Sequence, residues 1–144
     1  FTTGDGEVIF KKYSPVGEMN GVAAQYVEVL NRSFALTAFV ADRDRILAVS
    51  GTGRRELADR SISLPLEKLM DARKPYQNEG RADHAVLPCE GSPRVLLCAV
   101  PIIAAGDVTG AVGLLTEDRT AVPDDAQRKA LSVAAAFLAK QMEE

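Results

Sequence analysis

Two long apolar runs constrain this chain more than any other feature. Arg94-Val-Leu-Leu-Cys-Ala-Val100 continues into Pro101-Ile-Ile, and Val108-Thr-Gly-Ala-Val-Gly-Leu-Leu115 follows it. After Arg94 neither run contains a charge. Their lengths suit strands, and Pro101 argues against one continuous helix. Ala104-Ala105-Gly106-Asp107 is turn chemistry between apolar stretches, which predicts an antiparallel hairpin. A half-exposed strand alternates apolar and polar residues, and these runs do not. Strict alternation puts Val95, Leu97 and Ala99 on one face and Leu96, Cys98 and Val100 on the other. Both faces then need cover, so the hairpin belongs at the centre of a sheet. Gly110 and Gly113 have no propensity reason to sit in a strand. They point to a bulge or to close approach of another backbone or a ligand.

The 144 residues suit one domain, or one domain with an appendage. A chain near that length buries roughly 68–70% of its unfolded surface, so it needs no disulfide or metal to hold it. A net charge of −3 argues against this chain gripping nucleic acid by itself, because phosphate binding needs a basic surface. Cys89 and Cys98 are expected on neighbouring strands but out of pairing register. Two buried free thiols fit a reducing cytoplasm. No apolar run approaches the ~20 residues of a membrane span, and none reads as a signal peptide. The chain opens mid-pattern at Phe1, as a piece of a longer or processed protein would.

Along the chain, residues 1–13 carry a hairpin signal, with Gly4-Asp5-Gly6 as the turn and Val8-Ile9-Phe10 as the returning strand. Ser14-Pro15 caps and opens a helix. Its apolar stripe is Met19, Val22, Ala23, Tyr26, Leu30 and Phe34. Strands are expected over 35–41 and 46–49, joined by the charged turn Asp42-Arg43-Asp44-Arg45. Short helices are expected over 54–59 and 65–72, with capping residues at Ser61-Ile-Ser63. Residues 74–83 read as polar loop and His84 to Cys89 as a third strand. Val122-Pro123-Asp124-Asp125 starts a last helix running to about Glu143, with Pro123 in its first position and acids in the first turn. Ala130, Leu131, Ala134, Leu138 and Met142 line one face of it, and Val133 and Phe137 widen that face. The arc is too wide to pack on one sheet alone, which points to a partner subunit.

Groups with possible chemistry have plainer explanations. His84 is the only histidine, with no further ligands spaced for a metal. Ser50-Gly51-Thr52-Gly53-Arg54-Arg55 lacks the spacing of a phosphate-binding loop and reads as a strand-to-helix turn. Its functional alternative is the rim of a ligand pocket. Asp42/Asp44 and Asp124/Asp125 fit turn and helix-start roles. No nucleophile–base–orienter set is visible. The reading assigns no catalytic residue, no metal and no cofactor.

The segment Val100-Pro101-Ile102, a short Gly-Asp turn and Gly110-Ala-Val-Gly-Leu-Leu115 resemble the signature of GAF domains, small-molecule sensors related to the PAS fold. Gly6 to Pro15, Val40 to Gly51 and Ala135 to Glu143 resemble, more closely, the stage V sporulation protein T family of AbrB-like transcription regulators. The resemblance runs over essentially the whole chain. It implies an α+β fold: a GAF/PAS-like antiparallel sheet with the N- and C-terminal helices on one face and short helices plus loops over a pocket on the other. It implies that residues 1–13 are the remnant of a swapped-hairpin DNA-binding domain and that residues 14–144 form the sensor domain. Any DNA contact would come from that N-terminal domain. The partners implied are a homodimer through the first and last helices, a tetramer of the full-length protein, and a small-molecule ligand, in the cytoplasm of the forespore.

The candidate ligand-binding residues are Phe39, Ser50, Leu57, Ile62, Leu66, Leu69, Met70 and Cys98. The candidate dimer residues are Tyr26, Leu30, Leu131, Ala134, Phe137, Leu138 and Met142. Two alternatives stand beside the sensor. One is a dimerisation module whose pocket is filled by its own side chains. The other follows from the few GAF-like proteins that reduce methionine sulfoxide with pocket cysteines, here Cys89 and Cys98.

Overall fold

The computed structural model describes residues 20–143. The expected hairpin over 1–13, the Ser14-Pro15 helix start and Met19 lie outside them. The elements are α1 (Asn20–Phe34), β1 (Thr37–Asp42), β2 (Ile46–Ser50), α2 (Arg54–Leu57), α3 (Leu64–Ala72), β3 (Tyr76–Gln77), β4 (Val95–Ala104), β5 (Asp107–Thr116) and α4 (Asp125–Met142). All neighbouring strands are antiparallel, in the order β2-β1-β5-β4-β3. The β4–β5 hairpin is central, as its lack of alternation requires.

Two cores follow from the two covered faces. On one, Ala23, Val27 and Leu30 of α1 and Leu131, Ala134 and Leu138 of α4 pack over Ala38, Val40, Leu97, Val112 and Leu114. On the other, Leu57, Leu66, Met70 and Cys89 pack over Phe39, Ile46, Leu96, Ala99, Ala111 and Leu115. Both glycines of β5 are close-approach positions. A methyl at Gly113 would lie 2.6 Å from Cε1 of the Phe39 ring, and one at Gly110 would strike the Ala41 carbonyl oxygen.

Three expectations change. The pairing of β4 with β5 slips between Leu96 and Cys98. The bulge turns Leu97 and Cys98 to the same, helix-covered face, so strict alternation fails there. Residues 84–89 are not a strand. His84 closes a single 3-10 turn, Ala82–His84, and only Val86 is tied to the sheet, its carbonyl accepting from Leu96 N–H. The edge of β4 is taken instead by Tyr76 and Gln77 from the expected loop. Pro123 lies outside the last helix. Asp124 is its N-cap, accepting from Gln127 N–H while the Gln127 side chain accepts from Asp124 N–H.

Ser63 caps α3 as its position before Pro65 suggests. Its hydroxyl accepts from Leu66 N–H and donates to the Leu87 carbonyl, tying α3 to the 85–91 segment. Asp42 Oδ1 accepts from the Asp44 and Arg45 amides, the turn role expected of it.

Candidate functional site

Two places on this scaffold merit description as sites. The first is the α3 face of the sheet. The β-bulge and the Phe39–Gly113 contact set a flat apolar floor, and α3 lies across it with Leu66 and Met70 fully buried. Between them remains a cavity of about 10 Å³, lined by Leu66, Leu69, Met70, Tyr76, Ala99 and Ala111 among others. That is about the space one water occupies. Of the expected pocket residues, Phe39, Leu57, Ile62, Leu66, Leu69 and Met70 do share this face.

Cys98 and Ser50 do not share it. The bulge turns Cys98 to the helix face. Ser50 stands opposite Ala38, a residue of the helix-side core, and so points the same way. Tyr76 was missed because it sits in a polar stretch, 74–83, that carries no strand pattern. Its one signal is an aromatic directly after Pro75. Burial, with a lesser effect of Glu79, raises its phenol pKa.

The thiols are separated by the sheet. Cys89 belongs to the α3-side core and Cys98 to the α1/α4-side core, both free and buried. Burial raises both pKa values, that of Cys98 to about 12. An attacking thiolate and a resolving thiol need one accessible site, and this pair does not share one. His84 is exposed, 3.6 Å from Asp83. Among the described residues no group of three or more His, Cys, Asp or Glu side chains is placed to hold a metal.

The second place is the outer side of α1 and α4. Four of the expected dimer residues are committed to the chain's own core: Leu30, Leu131, Ala134 and Leu138 are 0–4% exposed. Tyr26 and Phe137 do reach the outside, their rings 5.6 Å apart and inclined at 41°. Met142 is partly buried beside the core. The residues that leave the apolar arc open are Val29, Val133 and Phe137, which are 58%, 60% and 40% exposed. With Val22, Tyr26 and Phe34 they line a groove of about 690 Å³. The arc of α4 was legible as too wide. Which half of it meets the sheet was not, because helical periodicity does not orient a helix that is apolar around much of its girth.

Residues 18–143 match the family model for the stage V sporulation protein T C-terminal, transcription factor. Stage V sporulation protein T of Bacillus subtilis (strain 168) is 35% identical over 144 residues, all of this chain and 80% of that protein. The chain belongs to this family. Its fold is that of a GAF domain. The GAF domain of a phosphoenolpyruvate-protein phosphotransferase from Acinetobacter superposes with a TM-score of 0.70 at 14% identity, over 92% of this chain and 84% of that one. The type II free methionine-R-sulfoxide reductase of Thermoplasma acidophilum superposes at 0.65 and 12% identity, over 88% and 94%. At such identity the likeness is one of fold alone. No helix among the described residues is long and apolar enough to cross a membrane.

Proposed function

We propose that this domain is the regulatory, non-enzymatic C-terminal part of a sporulation transcription regulator. It pairs with a second copy through the outer face of α1 and α4, and it adjusts DNA binding by an N-terminal domain. One observation carries the reading: the apolar groove in which Val29, Val133 and Phe137 stand exposed together, whereas the other exposed large apolar residues among those described, Leu64 and Val122, lie outside it. Such a contiguous patch marks an interaction site rather than a solvated helix face. The groove is shared by α1 and α4, so two copies meeting there would form a four-helix layer. α1 is the first described helix, and the matched regulator extends beyond the region this chain covers. A change in how two copies cross would reach a DNA-binding domain joined there. The compartment consistent with two free thiols is a cytoplasm, that of the forespore on this family reading.

Sensing belongs to the α3 face. With a cavity of about 10 Å³, a small molecule enters only if α3 lifts from the sheet. The floor and walls are aliphatic apart from Tyr76 and Lys74, so an apolar body with one polar end suits it. A ligand alters DNA binding only by favouring one arrangement over another. The same small cavity supports a second reading, in which the face stays closed and the domain only dimerises.

Thermal shift against a metabolite library separates the two. A ligand at about 100 times its dissociation constant stabilises by roughly 2.7 kcal/mol. A saturable shift lost in Leu69→Gln, which puts a polar amide at a half-buried lining position, supports sensing. No shift from any compound supports the closed reading. Sedimentation of the 144-residue chain tests pairing separately: a monomer at micromolar concentration removes it.

A further inference from the structure

The Ser50 to Arg55 turn, unexplained by either face, rims a third place. At the end of the sheet away from the β4–β5 turn lies a cleft of about 300 Å³, between the end of α1, the start of β1 and the end of β5. Gly51 and Gly53 bend the turn with φ of 122° and 88°. Neither position has room for a side chain. A methyl at Gly51 would meet Asn31 and Thr37, and one at Gly53 would lie 2.5 Å from Arg94 Nη1. The turn is therefore shaped around the Arg94 guanidinium.

Arg94 is the unusual group. Its side chain is 9% exposed, yet its one carboxylate partner is Glu117, at 2.9 Å, which is 75% exposed. A guanidinium has five N–H donors. Only Nη2 donates to a described residue, through the bond to Glu117. No buried side-chain nitrogen or oxygen among the described residues lacks a partner. The unused donors of Arg94 are therefore not sealed inside protein. The backbone of Arg94 is fixed in place, because the Ser92 hydroxyl donates to its carbonyl and accepts from its N–H. Glu117, already on Nη2, and Asp118 also line the cleft, both exposed, and Ala35, Leu36 and Leu115 supply apolar lining. Asp118 stays readily ionised, since the hydroxyl and amide of Thr120 hold its pKa below the ordinary value.

One buried cation with free donors, two exposed carboxylates lining the same cleft and apolar side chains beside them describe a receptor for a zwitterion. We propose that this cleft binds a small α-amino acid with an apolar side chain. The carboxylate lies on the free donors of Arg94, the ammonium between Glu117 and Asp118, and the side chain on Ala35 and Leu36. The site is separate from the α3 face and does not depend on that face opening. A plain carboxylate gains only Arg94 and is repelled by the two acids. A plain amine gains the acids and meets the guanidinium.

The test is a ¹⁵N-amide NMR titration of the 144-residue chain with L-alanine and L-valine, and with acetate and methylamine as controls. Saturable shifts at Thr52, Arg94, Glu117 and Asp118 with the amino acids and not with the controls are expected. Arg94→Lys keeps the charge and loses the fork, and it should weaken binding about 10-fold or more while the chain stays folded. Glu117→Gln, at an exposed position, should erase the preference for amino acid over acetate. No shift with any amino acid overturns the proposal. So do equal shifts with acetate, which would make this a simple anion site. Unchanged binding in Arg94→Lys, or shifts confined to Leu66, Met70 and Tyr76, would overturn it too, the last placing the ligand on the α3 face.

Discussion

Gly113 and Phe39 decide the floor of the α3 face between them. The ring lies where a β-carbon on Gly113 would be. Gly113→Ala should destabilise the domain by roughly 1–3 kcal/mol, because the ring has no free volume to move into. Phe39→Leu in the same chain should recover part of that loss, which urea denaturation of the single and double variants would show. Asn78 is a second such residue, 1% exposed. Its side-chain amide donates to the carbonyls of Arg119 and Ala121, strapping the loop before α4 to the sheet edge. Asn78→Ala should cost about 1–3 kcal/mol, since it removes a buried amide and both hydrogen bonds that hold the Arg119 and Ala121 carbonyls. The thiols give a pH test with a definite sign. The pKa of Cys98 is raised in the fold from 9.0 to about 12. The neutral thiol is the folded form, so its contribution is complete below pH 9 and lost as pH climbs from there towards 12, where the unfolded thiol ionises first. Cys98→Ala should flatten that part of the stability–pH curve, and neither thiol should react with a disulfide reagent before the chain unfolds.

At the scale of the elements, α4 divides into two working faces. Leu131, Ala134 and Leu138 face the sheet, whereas Val133 and Phe137 face away. Leu138→Asp should therefore unfold the domain, because it buries a charge in the chain's own core. Val133→Asp with Phe137→Asp should leave the far-ultraviolet circular dichroism unchanged and, on the pairing proposed above, turn the dimer into a monomer in sedimentation. Unchanged sedimentation would place the partner contact elsewhere. The helix start is a separate matter. The reciprocal Asp124–Gln127 cap holds it, and Asp124→Ala should cost about 1 kcal/mol, read as a drop of a few degrees in melting temperature.

Considered as a whole molecule, the domain is a sheet with one function proposed for each of its covers. On those proposals the α1/α4 side would pair, the α3 side would sense, and the Arg94 end would take a zwitterion. The three share the β1–β5–β4 centre, and the end of α1 lines both the Arg94 cleft and the α1/α4 groove, so a ligand at one could shift another through the sheet or through that helix. Two sites binding independently should give additive thermal shifts. A departure from additivity would measure their coupling directly.

Much of this architecture was legible in the residues. The central hairpin showed itself through the absence of alternation, because a strand covered on both faces has no polar positions to alternate with. The Ser63 cap and the Asp42 turn were legible for local reasons, each being the business of a few neighbouring residues. Gly110 and Gly113 were legible because a glycine inside an apolar strand has no propensity reason to be there, although the groups that approach them, Ala41 and Phe39, are distant in sequence. The same sequence pattern indicated a GAF-like fold and its family. What only the tertiary structure decided was facing and depth. A single bulge between Leu96 and Cys98 moved Cys98 across the sheet, and a period-2 pattern does not announce where such a slip occurs. The broad arc of α4 left Leu138 and Phe137 equivalent until the sheet took one of them. Arg94 read as the last charge before a strand. Its burial against Gly53 and Glu117, residues distant in sequence, arises only when β2, β4 and β5 end at the same edge.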